Sequence, residues 1–307
     1  MTDRVLTTRG LTKRYNSAVA VDHMDLDIGL GEIYGLVGRN GAGKTTLIRM
    51  ITAQTVPTEG DISLFGAKDE RENRRMRARL GTMVETPGFY PYLTARQNLE
   101  YYRLQRSIPG RRAVDEVLEA VGLDKTGTKR FKDFSLGMKQ RLGLALALMG
   151  RPDLLLLDEP INGLDPEGIV EFRDLLLRLN RERQTTILIS SHILPELANL
   201  ATCYGFLDHG VLLEQISAAG LEEKCRACLE LHVDDAAKAA QVLELELGAR
   251  DYEVLTPRVI RLYSHLEEPE RVTKALVLGG VSLSAAESRG ADLETYFLRL
   301  IGGVRHA

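Results

Sequence analysis

The sequence predicts a mainly parallel α/β domain that carries an inserted helical subdomain and is followed by a small α+β domain. Three observations support this. Strand-like and helix-like runs alternate through the first two thirds of the chain, residues 85–150 read as helical, and the runs after about Gly220 follow a βαββαβ order. At 307 residues the chain suits two domains, expected at 1–220 and 221–307.

The alternation runs in order. Glu32 to Val37 reads as a strand and Thr45 to Ala53 as a helix; Leu154 to Leu157 and Glu167 to Asn180 repeat the pair, as do Thr186 to Ser190 and Leu194 to Leu200. The four leucines at 154–157 are apolar on both faces, as a central strand covered by helices on both sides must be. Arg151-Pro152-Asp153 before them and Pro160 after them argue against a buried helical turn. The inserted helices are expected at Ala95 to Gln105, Arg111 to Val121 and Met138 to Met149. In the second domain strands are expected at Cys228 to Val233, Tyr252 to Leu255, Val259 to Tyr263 and Val281 to Ala285. Helices are expected at Ala236 to Leu247, Glu268 to Leu278 and Leu293 to Ile301. That order is the split βαβ, ferredoxin-like arrangement.

Composition is that of a globular protein, with 44% hydrophobic and 27% charged residues, which excludes collagen-like and wholly disordered chains. A formal net charge of −3 provides no general basic field for nucleic acid, so no nucleic-acid partner is expected. Three cysteines suit a reducing compartment. With no apolar leader and no apolar run near the ~20 residues of a membrane span, a cytoplasmic chain without its own transmembrane segment is expected.

Gly38-Arg39-Asn40-Gly41-Ala42-Gly43-Lys44-Thr45 fits a phosphate-binding loop between a strand and a helix. Its glycines let backbone N–H groups turn toward phosphate oxygens, and the helix N-terminus adds partial positive charge. Lys44 is expected to reach the β and γ phosphates and Thr45 to offer its hydroxyl to Mg²⁺. Gly38, Asn40, Gly41, Gly43 and Thr46 are expected to complete the phosphate-binding cradle. The leucine run delivers Asp158 and Glu159 to the carboxyl end of a strand, where open α/β sheets bind ligands. Asp158 suits Mg²⁺ and Glu159 suits a general base toward water. Alone such a pair could merely cap the next helix; beside a phosphate loop the catalytic reading is favoured. Ser135 is placed as an N-cap ahead of an apolar helix, with Gly137 permitting close backbone approach.

Over residues 4–220 these segments together resemble an ABC-transporter ATPase subunit, a P-loop NTPase. The phosphate loop resembles Walker A, Ser135-Leu136-Gly137-Met138-Lys139-Gln140-Arg141 a variant of the family signature, and Leu154 to Pro160 Walker B. Gly163-Leu164-Asp165-Pro166 is similar to the D-loop and Ser190-Ser191-His192 to the switch histidine. The resemblance implies that Tyr15 stacks on adenine and that Asp165 serves the nucleotide. It also implies that Ser135 and Gly137 cap the γ-phosphate of a partner ATPase subunit, and that His192 contacts the γ-phosphate. The implied partners are a second ATPase subunit, the same chain or a close paralogue, and a separate integral membrane permease. The implied place is peripheral, on the inner face of a bacterial cell membrane.

Glu85 stands about where most members carry Gln. With the Glu-Thr-Pro-Gly-Phe-Tyr run, the Ser-Leu-Gly-Met-Lys-Gln signature and the ending Leu293-Glu294-Thr295-Tyr296-Phe297-Leu298, it resembles bacitracin-resistance and lantibiotic-immunity exporter ATPases. That resemblance implies export of an antimicrobial peptide and a role for Glu85 near Mg²⁺ and the permease contact. Ile161 where Thr is usual, and Leu136 and Met138 in the signature, remove no catalytic group.

Cys225 and Cys228 form a single CxxC with no second ligand pair, so packing is favoured over zinc or redox chemistry. The mixed charges of Lys68 to Arg79 favour a solvated helix face over a nucleic-acid or headgroup patch. A soluble ABC-type ATPase acting on nucleic acid or ribosomes is the rival reading, and a ligand-sensing C-terminal domain a third.

Overall fold

The computed structural model describes residues 4–84, 88–110, 112–290 and 293–304. It divides into two compact units, Met1–Ala218 and Ala219–Ala307.

The first unit begins with two long antiparallel strands, β1 (Arg4–Tyr15) and β2 (Ala18–Gly29). Then come β3 (Ile33–Gly38), α1 (Lys44–Ile51), β4 (Glu59–Leu64), α2 (Glu70–Met76) and β5 (Leu80–Met83). The inserted helices follow as α3 (Ala95–Gln105), α4 (Arg112–Ala120) and α5 (Leu136–Leu148). The unit continues with β6 (Leu154–Asp158), α6 (Pro166–Arg183), β7 (Thr186–Ser191), α7 (Leu194–Ala198), β8 (Cys203–Asp208) and β9 (Val211–Ser217).

Two sheets result. A three-stranded antiparallel sheet has the order β2-β1-β4, and a six-stranded sheet has the order β5-β6-β7-β3-β8-β9, parallel from β5 through β8 with β9 antiparallel at the edge. The strands β3 and β7 are buried along their whole length and β6 along all four leucines, which explains their continuous apolar runs. The register pairs Asp158 with Ser190 and Leu36 with Ser190, so β3, β6 and β7 end side by side. Phosphate loop and acidic pair therefore share one edge of the sheet.

The helix starts have local causes, of which the Ser135 cap was read from the sequence. Thr94 and Gln97 form a reciprocal capping box on α3, the Ser135 hydroxyl accepts the Met138 N–H at the start of α5, and Asp165 caps α6 ahead of Pro166. All seven residues from Leu142 to Leu148 are buried, so the second half of α5 is enclosed on every side. Its approach to β5 depends on Gly81, where a Cβ would stand 2.4 Å from the Ala147 carbonyl oxygen.

The alternating reading omitted β1, β2, β4, β5, β8 and β9. In β1 and β2 buried positions are interrupted by register shifts, which break the period of two that a sequence scan relies on. The basic stretch at 68–79 forms α2 and a short 3₁₀ turn. Arg71, Arg74 and Arg75 are exposed there, while Arg77 binds Glu70 and Arg79 binds Asp153.

The second unit contains α8 (Ala218–Cys225), which begins at its boundary, then β10 (Cys228–Val233), α9 (Ala236–Leu247), β11 (Tyr252–Thr256), β12 (Val259–Leu262), α10 (Pro269–Leu278), β13 (Leu283–Arg289) and α11 (Leu293–Val304). Its antiparallel sheet has the order β11-β12-β10-β13, in which β10 lies between strands that follow it in sequence, the split βαβ order. Leu229, Leu231 and Val233 of β10 form a core with Ala239 and Leu243 of α9 and Val272 and Leu276 of α10. The last strand lies later than the expected Val281 to Ala285. Val281 is buried at the turn that leaves α10, and the Ser282 N–H is held by Asp234, so the ladder starts only at Leu283.

Candidate functional site

The site starts from the turn between β3 and α1. Gly43 has φ +109°, and a Cβ there would stand 2.4 Å from the Ala20 carbonyl oxygen, so only glycine permits this path. The turn delivers Lys44 into a cavity of about 190 Å³ lined by Asn40, Gly41, Gly43, Lys44, Thr45 and Thr46, with Ala20 and Glu159 on its other walls. Gly38 ends β3 below it. The Lys44 ammonium is buried and donates to the carbonyl oxygens of Gly38 and Arg39 at 2.6 and 3.1 Å. It also lies 3.1 Å from Glu159 Oε1, a charge contact and not an aligned hydrogen bond, because that oxygen has no hydrogen-bond partner.

The carboxyl end of β6 meets this turn. Thr45 Oγ1 donates to Asp158 Oδ2 at 2.7 Å, and Ser190 Oγ donates to Asp158 Oδ1 at 2.6 Å. Ser190 Oγ in turn accepts the Glu159 N–H at 2.9 Å. A hydroxyl and a carboxylate this close are hard oxygen donors of the kind that hold a small divalent cation. Glu159 itself adopts φ +49°, a left-handed conformation that costs an ordinary side chain roughly 1–3 kcal/mol and is kept only where the surroundings enforce it. The Ser190 bond to its N–H and the Asn162 N–H donated to its carbonyl oxygen supply that enforcement. His192 Nδ1 lies 2.7 Å from Glu159 Oε2. Five polar side chains from three separate segments, Lys44 and Thr45, Asp158 and Glu159, and His192, thus form one connected group.

Ser135, Gly137 and Asp165 stand elsewhere. They line a larger cavity of about 670 Å³ between the starts of α5 and α6, with Leu136, Arg141 and Glu171 among its other walls. Leu136 is 47% exposed, and its Cδ2 reaches the D-loop segment, 2.9 Å from where a Cβ on Gly163 would lie. Arg141 pairs with Glu171 and so ties α5 to α6. Tyr15 ends β1, 44% exposed, with the Lys13 ammonium 4.9 Å from its ring centre, and it is not among the walls of the smaller cavity. Glu85 lies outside the described residues.

The functional reading of the sequence gave Ser190 no task of its own, although its hydroxyl joins Asp158 to the Glu159 backbone. Its signal was positional: it ends a buried strand beside the acidic pair. Cys228 is buried in β10, and burial pushes its thiol above the ordinary range. No cluster of three or more His, Cys, Asp or Glu residues suited to a metal occurs among the described residues, and no described helix is long and apolar enough to cross a membrane.

Comparison with known proteins identifies the family. The ABC transporter family profile matches residues 21–162. The chain is 45% identical over 299 residues to the bacitracin transport ATP-binding protein BcrA of Bacillus licheniformis, covering 97% of this chain and 98% of that protein. It is 37% identical over 212 residues to the lantibiotic transport ATP-binding protein SrtF of Streptococcus pyogenes, covering 69% of this chain and 90% of that one. Among solved structures, cbiO1 from Clostridium perfringens superposes with a TM-score of 0.65 at 23% identity, covering 80% of this chain and 96% of that one. The ATP-binding cassette MJ0796 superposes with a TM-score of 0.63 at 24% identity, over 69% of this chain and 98% of that one. With near-complete coverage of its relatives, the chain belongs to the ABC transporter family, as an ATP-binding and ATP-hydrolysing subunit.

Proposed function

We propose that this subunit powers export of an antimicrobial peptide or a related drug through a separate integral membrane permease, at the inner face of a bacterial cell membrane. The observation that carries the reading is the 45% identity to a bacitracin transport ATP-binding protein across 97% of the chain. Residues 1–220 form the nucleotide-binding domain and 221–307 an accessory domain.

The geometry of the loop and the acidic pair supports roles for most of these residues, and the family resemblance suggests those of Tyr15 and Glu85. Lys44, with the backbone of Gly38 to Thr46, binds the phosphates. Mg²⁺ fits the Thr45 hydroxyl and the Asp158 carboxylate, and when bound it offsets phosphate charge. Glu159 accepts the proton of the attacking water as the bond between the β-bridging oxygen and the γ-phosphorus breaks. His192, already at Glu159, orients the γ-phosphate. Ser135, Gly137 and Asp165, lining a different cavity from Lys44, suit the nucleotide held by a second ATPase subunit, the same chain or a close paralogue. Tyr15 stacks on adenine, and Glu85 transmits between the nucleotide and the permease.

The test is affinity purification of tagged Glu159→Gln protein from detergent-solubilised membranes with ATP present, followed by mass spectrometry. Near-equal recovery of a multi-span membrane protein, together with increased bacitracin susceptibility of cells lacking the gene, is expected. Recovery of ribosomal or DNA-bound proteins instead would overturn the transport reading.

A further inference from the structure

A buried carboxylate oxygen without a hydrogen-bond partner is rare in a folded protein and calls for a physical explanation. Glu196 Oε2 is such an atom, enclosed and without a partner among the described residues. Glu196 lies in the first turn of α7, four residues after His192. The Ser191 hydroxyl at the end of β7 accepts the Ile193 N–H, fixing the turn that carries both His192 and α7. Burial pushes the Glu196 carboxyl above the ordinary carboxylate range; the nearby charge of His192 draws it down in part and the Glu159 carboxylate pushes it up. The group therefore sits within electrostatic reach of both His192 and Glu159, yet one of its oxygens is unused.

Glu159 differs in its charge partners. Its Oε2 is engaged by His192 Nδ1 at 2.7 Å, while its Oε1, which has no hydrogen-bond partner, lies 3.1 Å from the Lys44 ammonium. A carboxylate paired with an imidazole on one oxygen and facing an ammonium charge on the other is a poor proton acceptor, so the base must be released before it can work. Phosphates draw Lys44 away by charge, but an imidazole that simply let go would leave its N–H unpaired in a half-buried place.

We infer that Glu196 is a positioning residue, the second acceptor that receives the His192 ring N–H when it leaves Glu159, so that Glu159 is freed while the imidazole stays oriented. The inference rests on the proposed roles of Glu159 and His192. No bond is made or broken in this step beyond the exchange of one hydrogen-bond acceptor for another.

The test uses the full-length protein. Glu196→Leu removes the acceptor, whereas Glu196→Gln retains an amide oxygen of nearly the same shape. Loss of a partner that orients another group is expected to lower kcat by about 10- to 100-fold, with ATP affinity measured by equilibrium titration unchanged in Glu196→Leu. The Gln variant is expected to remain within a few-fold of the parent. The ¹⁵N shifts of the His192 imidazole, read in ATP-bound Glu159→Gln protein, are expected to move when Glu196→Leu is added. A wild-type kcat in Glu196→Leu, a Gln variant as impaired as Leu, or unmoved imidazole shifts would each overturn the inference. If Glu196→Leu does not fold, Glu196→Met supplies the same comparison. Undiminished turnover in Glu159→Gln alone would instead overturn the base assignment, a separate result.

Discussion

Thr45 Oγ1 donates a 2.7 Å hydrogen bond to Asp158 Oδ2, joining the first turn of α1 to the carboxyl end of β6. The other Asp158 oxygen accepts from Ser190 at 2.6 Å. One carboxylate therefore assembles the site and presents hard oxygen ligands. Asp158→Ala should strand the half-buried Thr45 hydroxyl and the buried Ser190 hydroxyl, costing about 1–3 kcal/mol of stability for each, and should lower the thermal midpoint measured by calorimetry. Chelation of divalent cations should abolish phosphate release by the parent protein without changing that midpoint. Hydrolysis that persisted in excess chelator would remove the metal from the proposal.

Glu159→Gln preserves shape but not basicity. Turnover should fall by about 10²- to 10⁴-fold, the usual contribution of a positioned base, while ATP binding is retained. Because product can no longer form, an ATP-bound dimer should accumulate on size exclusion with light scattering. A monomer under saturating ATP would contradict the two-subunit reading of Ser135, Gly137 and Asp165.

The parts of this site that were legible in sequence depend on backbone geometry set locally. A phosphate loop declares itself because Gly43 must take φ +109° and Lys44 must follow it. The cap at Ser135 is legible for the same reason, satisfying an orphan N–H group a few residues ahead. The link from Ser190 to Asp158 and Glu159 was not, because it is created by strand register between segments about thirty residues apart. The long antiparallel strands β1 and β2 escaped because their register shifts disturb the alternation that marks a strand. The unpartnered Glu196 oxygen has no sequence signature at all: an exposed glutamate in a first helical turn would read identically.

Glu85 provides a prediction made from sequence alone. Replacing the family's amide by a carboxylate adds a charge where Mg²⁺ and the permease contact are expected to meet. Glu85→Gln should therefore alter stimulation of hydrolysis by the reconstituted permease more than it alters ATP affinity. Parallel loss of both would show that the residue serves nucleotide binding alone.

In the second unit, Glu230 is nearly enclosed on the sheet face opposite α9 and α10, with Arg261 and Arg289 at 3.0 and 2.9 Å and His232 at 3.3 Å. Burial alone would raise its carboxyl above the ordinary range, but the Arg261 hydrogen bond and the charges of Arg289 and Arg261, with help from His232, outweigh it and hold the group below that range. A depressed carboxyl contributes stability that is complete above its unfolded value, about 4.3, and is lost as pH falls through the lower folded value. Stability measured by denaturant unfolding of the full chain should therefore decline below about pH 4 more steeply in the parent than in Glu230→Gln. At neutral pH the Gln variant should be weaker by about 1.5–3 kcal/mol, the worth of a hydrogen bond to a charged group. The arginines, 35% and 45% exposed, can regain water when the carboxylate is removed, which keeps the loss below that of a fully enclosed pair. Identical acid profiles for the two proteins would show that Glu230 is held no more tightly in the folded than in the unfolded chain.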